Sequence, residues 1–156
     1  MISHFHPVLL IGFRIILGTT FLWAGMGKVF EPVDFARTIL TYNMLPNVLI
    51  VPFAIVLPWI ECVVGLCLIT GFWIRPNALI SLLLLVSFSL ALGVNILRGA
   101  DMSCGCFGVG GGGVSLPIAL FVDLCLLVFS GLLIFARQAP FSLDRFWGRI
   151  VSIQTE

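Results

Sequence analysis

The sequence predicts an all-α integral membrane protein, a four-helix bundle with a short interfacial amphipathic helix between its first and second spans. Three observations lead there. Four apolar stretches each reach the roughly 20 residues that a helix rising about 1.5 Å per residue needs to cross hydrocarbon. Only 10% of the 156 residues are charged and 60% are hydrophobic, whereas a soluble domain carries about a quarter charged residues. The mean hydropathy is +1.20, and no stretch between the spans is long enough to supply a compensating polar domain.

The first span runs from Pro7 to Phe30. It is too long for a signal peptide, lacks Lys or Arg ahead of its apolar run, and holds Arg14 and Lys28 inside it, so it reads as a retained helix. The second runs from Val48 to Gly71, the third from Asn77 to Leu97 and the fourth from Leu116 to Ala136. With short connections these account for residues 1–156 as a single transmembrane domain with no linker and no internal repeat. Between spans one and two, Glu31 to Pro46 places Phe35, Ile39 and Leu40 at helical spacing, with Asp34, Arg37 and Thr38 elsewhere. That pattern predicts a short helix lying in the headgroup region. Between spans three and four, Arg98 to Ser115 is glycine-rich, with five glycines after Cys106, which opposes a helix and permits unusual backbone angles.

The formal net charge is +1, and no basic block or aromatic–basic stripe occurs, which argues against nucleic acid as a partner. The partner that the composition demands is the lipid bilayer. Arg75, Arg137, Arg145 and Arg149 fall on the side shared by both termini, against Lys28, Arg37 and Arg98 opposite. This asymmetry predicts cytoplasmic termini. The amphipathic segment and the cysteine-bearing loop then share the outer face, which in a bacterium is the periplasmic face of the inner membrane, where disulfides persist.

Ionisable groups inside hydrocarbon cost at least a few kcal/mol each, so they turn inward and find partners. Arg14, Gly18, Phe21, Gly25 and Lys28 recur at alternating steps of four and three and form one packed face. Ala54, Pro58, Glu61 and Gly65 form a second such stripe, and Ala119, Asp123 and Ser130 a third. Depth then predicts an inner structural ion pair, Arg14 with Glu61, and an outer pair, Lys28 with Asp123. Structural neutralisation that selects one helix arrangement explains such pairs, and a proton or redox role is the alternative.

Five cysteines are present. Cys62, Cys67 and Cys125 lie within spans, where a thiol behaves as a small apolar side chain. Cys62 and Cys67, five residues apart on a helix, sit about 140° apart around its axis and cannot readily bridge one another. Cys104 and Cys106 differ, being neighbours across one glycine in a loop that can bend. A disulfide between them closes a very small, strained ring, and strain raises the reduction potential and makes the bond an electron acceptor. The reduced pair would suit a soft ion such as Cu(I) or Hg(II), but this loop lacks the ligands for four-coordinate zinc. Three readings stay open: thiol–disulfide exchange, soft-metal handling, and a structural bridge in a non-catalytic assembly subunit. His4 and His6 precede the first span and read as solvated, so no metal ligand set is assigned.

Cys104-Gly-Cys-Phe-Gly108, Gly25 to Lys28 closing the first helix, Tyr42-Asn-Met-Leu-Pro46, and the Glu61 helix with Gly65 and Gly71 together resemble the MauE branch of the DoxX-like membrane proteins over nearly the whole chain. The CGCFG element is the specific part. The resemblance implies a role near disulfide chemistry, since MauE proteins are associated with maturation of the disulfide-rich small subunit of methylamine dehydrogenase alongside a thioredoxin-like periplasmic partner. It does not fix this chain's substrate. A quinone linking the cysteines to the membrane is a variant, but Trp23, Trp59, Trp73 and Trp147 read equally as packing or interfacial anchors. Lys28 and Asp123, placed beneath the loop, complete the candidate catalytic set with Cys104 and Cys106. An ammonium favours the attacking thiolate, and a carboxylate can take the proton that a dithiol releases on oxidation.

Overall fold

The computed structural model describes residues 7–99 and 114–135. They form five helices, α1 (Pro7–Phe30), α2 (Pro32–Tyr42), α3 (Asn47–Thr70), α4 (Ile74–Leu97) and α5 (Leu116–Phe135). Four of these, all but α2, are long and apolar enough to span a membrane. The chain is an all-α, multi-pass membrane protein. Around the bundle α1 packs on α3, α3 on α4, α4 on α5, and α5 back on α1. The outward faces are apolar, with Ile15, Trp23, Val56, Trp59, Val63, Leu83, Leu90 and Phe121 all exposed, as lipid contact requires.

Small residues set the α1–α3 interface. A Cβ on Gly65 would meet Gly18 O at 2.7 Å and Leu22 N at 2.8 Å, and one on Gly25 would meet Pro58 O at 2.9 Å. Backbone therefore lies on backbone, which in lipid replaces the hydrophobic drive with close dispersion contact. The α4–α5 interface is held differently. Ser130 Oγ donates to Ala78 O at 2.7 Å and lies 2.9 Å from Ser81 Oγ, with both serines fully buried. The two helix pairs meet over a core of Leu17, Phe21, Val64, Leu68, Leu85 and Leu126, and Phe13 stacks on Phe129 at 4.5 Å between α1 and α5.

The predicted boundaries hold closely, except that α4 begins at Ile74 rather than Asn77. Pro76 falls in the first turn, where the missing N–H has no acceptor to lose. The preceding turn is tight: Gly71 (φ 76°) and Trp73 (φ 44°) are both left-handed. Asn77 Nδ2 donates to Phe72 O and Trp73 O, both at 3.0 Å, and holds the turn closed.

The short helix α2 is present between the first two spans, as expected, and its apolar face docks on the bundle. Pro32 starts it and Asn43, left-handed, ends it with its N–H on Leu40 O. Phe35 and Ile39 bury against Ile50, Ala54 and Leu57 of α3, while Leu40 stays exposed. At its far end Tyr42 packs with Leu92, Leu116 and Ala119 of α4 and α5. The Tyr42 carbonyl accepts from Arg98 Nη1 at 3.0 Å. Thus α2 lies across one mouth of the bundle, and α4 ends and α5 begins at that same mouth.

Candidate functional site

The intramembrane charges are paired differently from the sequence expectation. Lys28 Nζ bonds Glu61 Oε1 at 2.6 Å, with both side chains buried. Arg14 does not take Glu61. Its Nε donates to Leu68 O at 3.2 Å and its Nη2 reaches Ile69 O at 3.5 Å. The guanidinium also sits against Gly71, where any Cβ would collide with it.

The cause is helix register. Gly18 faces Gly65 and Ile69, and Gly25 faces Pro58 and Cys62, so each step forward on α1 is a step back on α3. Arg14, a turn before Gly18, therefore falls opposite the end of α3, about two turns from Glu61. There the unpaired terminal carbonyls and the negative end of the helix dipole receive the cation. Lys28, beyond Gly25, falls opposite the residues just ahead of Pro58, and its long stem reaches Glu61. Matching depth by residue count, without the offset between the two helices, misassigned the partner.

Lys28 is also enclosed by aromatic faces, with Nζ 4.8 Å from the Phe88 ring centre and 5.1 Å from that of Phe35. Both fall within cation–π range. Asp123 stands in the same enclosure and interacts electrostatically with both Lys28 and Glu61, without a direct bond to either among the described residues. Lys28, Glu61 and Asp123, with Thr20, Ala24 and Phe88, line a cavity of about 30 Å³. Glu61 Oε2 and Asp123 Oδ2 are buried and meet no donor in hydrogen-bond geometry, and the Ser89 hydroxyl, itself buried, lies beside the Asp123 carboxyl and interacts with it. All four spans thus contribute to one polar centre in an otherwise apolar bundle.

Over this centre lies α2. Burial, and then the charge of Asp123, push the Tyr42 phenol up to about 12. The sequence reading found Lys28, Glu61 and Asp123 as inward charges but missed Phe35, Tyr42, Phe88 and Ser89. Ser89, polar in an apolar run, and Tyr42, the chain's single tyrosine, were visible signals. Nothing in the sequence distinguished Phe88 from the other thirteen phenylalanines.

Cys62, Cys67 and Cys125 are free thiols, all partly buried. Cys104, Cys106, His4 and His6 lie outside the described residues. Trp23, Trp59 and Trp73 are exposed on the outer surface. Among the described residues no group of three His, Cys, Asp or Glu side chains could hold a metal ion.

The family model described as methylamine utilisation protein MauE matches residues 6–136. A methylamine utilization protein MauE of Paracoccus denitrificans is 31% identical over 127 residues, covering 81% of this chain and 67% of that one. Its namesake in Methylophilus methylotrophus is 28% identical over 127 residues, covering 78% of this chain and 63% of the relative. That of Methylorubrum extorquens is 30% identical over 85 residues, or 54% of this chain and 46% of the relative. The matches thus span from about half to about two thirds of these relatives' lengths. No solved structure matches the chain.

Proposed function

The chain belongs to the MauE family of methylamine utilisation proteins, and from that membership we propose that it is a membrane thiol–disulfide redox protein. Cys104 and Cys106 exchange electrons with a thioredoxin-like protein on the extracytoplasmic side, in support of disulfide formation or maturation in a secreted substrate. The relatives' name makes a methylamine-oxidising enzyme the first substrate to examine. The observation that carries the reading is the Cys-Gly-Cys motif in the segment joining α4 to α5. Both flanking helix ends open at the mouth that α2 covers, above the only described site where buried charges from several helices meet.

In the exchange, a thiolate of the partner attacks one sulfur of the loop disulfide, forming a mixed disulfide and releasing a loop thiolate. The partner's second thiolate then displaces the remaining loop sulfur. The partner leaves oxidised and the loop leaves as a dithiol, having gained two electrons and two protons. Run in reverse, the same steps reduce the partner. In this reading Lys28 and Asp123, near the mouth at which α4 ends and α5 begins, set the local charge against which the thiols ionise.

Cells carrying Cys104→Ser or Cys106→Ser test this directly. Leaving one thiol without its neighbour should trap a mixed disulfide with a thioredoxin-fold protein, separable by non-reducing electrophoresis and identified by mass spectrometry. Absence of any adduct in both variants, with both expressed and folded, would remove exchange and leave a structural role for the loop.

A further inference from the structure

The three ionisable side chains at the bundle centre do not balance. Lys28 supplies one positive charge, while Glu61 and Asp123 supply two negative charges if both are ionised. Lys28 is 3% and Glu61 1% exposed, and Asp123 is partly buried, so the excess charge is poorly solvated. The bonding pattern shows the same excess. Among the described residues Lys28 hydrogen-bonds only Glu61 Oε1, and Glu61 Oε2 and Asp123 Oδ2, both buried, meet no donor in hydrogen-bond geometry, although Ser89 lies beside the Asp123 carboxyl. These orphaned acceptors belong to residues lining one cavity, whose volume of about 30 Å³ exceeds the roughly 10–15 Å³ that one water needs.

We propose that Lys28, Glu61 and Asp123, with the water-sized cavity they line, form a proton-binding site that holds one exchangeable proton on the carboxylate pair at neutral pH. Two carboxylates sharing a poorly solvated site cannot both ionise beside a single cation, so one retains a proton. The resulting set of one ammonium, one carboxylate and one carboxylic acid is neutral. The carboxylic acid also supplies the donor that the orphaned oxygens lack, directly or through water. Among the described residues α1 brings Lys28, α3 brings Glu61 and the Cys62 thiol, α5 brings Asp123, and α2 brings the Tyr42 phenol. From α4 come the uncharged Phe88 and Ser89. None of these supplies a second cation. The Phe35 ring of α2 lies against the Lys28 ammonium on one side of the site. The proposal does not depend on Cys104 or Cys106.

Infrared spectroscopy of the full-length protein in lipid nanodiscs reads the proton through the C=O stretch of a protonated carboxyl. At neutral pH the wild type should show one such group, and its band should shift on transfer to D2O. Either Glu61→Gln or Asp123→Asn should abolish the band, because each leaves one carboxylate balanced by Lys28. Lys28→Met should have the opposite effect and raise the count to two protonated carboxyls. Absence of the band in wild type would overturn the proposal whether or not the variants fold. So would its survival at full strength in both single carboxylate variants. Loss of the band with proton release on adding Na+ or K+ at fixed pH would overturn it in favour of a metal-cation site. A band unmoved by the cysteine substitutions keeps this result separate from the exchange reaction.

Discussion

Lys28 Nζ lies 2.6 Å from Glu61 Oε1 across the α1–α3 interface, while Arg14, on the same face of α1, closes the far end of α3 through the carbonyls of Leu68 and Ile69. One helix thus neutralises the other at two depths by two different means, a carboxylate in the middle and a helix terminus at the end. Both follow from the glycine contacts that fix how far α1 slides along α3.

This arrangement makes a coupling prediction. Lys28→Met and Glu61→Leu should each destabilise the protein by about 1.5–3 kcal/mol, because each removes the buried charge-assisted hydrogen bond between α1 and α3, while the double variant should lose less than the sum. Arg14→Leu combined with Glu61→Leu should be additive within about 0.5 kcal/mol, since the two sites lie about two turns apart along α3 and share no hydrogen-bond partner among the described residues. Reversible unfolding in detergent measures all of these. Strong coupling between Arg14 and Glu61 would contradict the register.

Gly65→Ala places a methyl against Gly18 O and Leu22 N. Backbone atoms cannot rotate away, so α1 and α3 must separate at a cost of about 1–3 kcal/mol. Gly12→Ala meets nothing within 4 Å and should be neutral, or stabilising by up to about 1 kcal/mol through helix propensity. Thermal unfolding of the two variants side by side distinguishes a packing effect from a general intolerance of alanine.

The spans were legible because length and apolarity alone define them, and the first was placed at Pro7–Phe30 as observed. Helical periodicity likewise put Arg14, Lys28, Glu61 and Asp123 on inward faces. Their partners were not legible, because pairing depends on the axial offset between helices, which Gly18, Gly25 and Gly65 set only when packed in three dimensions. The same reason hid the enclosure of Lys28: Phe35 comes from a helix expected to lie on the membrane surface, and only its docking against Ile50 and Ala54 brings its ring to the ammonium. Cys104 and Cys106 were legible as a motif, and their chemistry is a matter for experiment.

Tyr42 is the chain's only tyrosine, so the tyrosinate absorbance band reports it without interference from another phenol. Its midpoint should lie near 12 rather than the usual value of about 10, and Asp123→Asn should lower it. Because the folded pKa is raised, the neutral phenol's contribution to stability is fully present below about pH 10 and is lost as the pH rises through the folded value. Tyr42→Phe should therefore flatten the alkaline limb of the stability profile above pH 10. A wild-type midpoint at the ordinary phenol value would place Tyr42 outside the bundle mouth.

Ser130→Ala removes the bonds to Ala78 O and Ser81 that tie α5 to α4. A loss of about 0.6–2 kcal/mol is expected, the range for interhelical polar contacts in membranes. Ser87→Ala is the control, since Ser87 is exposed to the outside and bonds only its own helix at Leu83 O. Equal effects from the two substitutions would argue against a joining role for Ser130.

The central claim is that Cys104 and Cys106 form an electron-exchanging pair, and the most direct measurement follows their redox state in the purified protein. Full-length protein in nanodiscs, prepared with the pair oxidised, is mixed with a reduced thioredoxin-fold protein, quenched with acid and alkylated with a mass-shifting thiol reagent. The account predicts that both loop thiols appear together as the partner loses two, one disulfide exchanged for one, while Cys62, Cys67 and Cys125 are unchanged. A loop that stays oxidised against an excess of reduced partner, and stays reduced against an excess of oxidised partner, would contradict it.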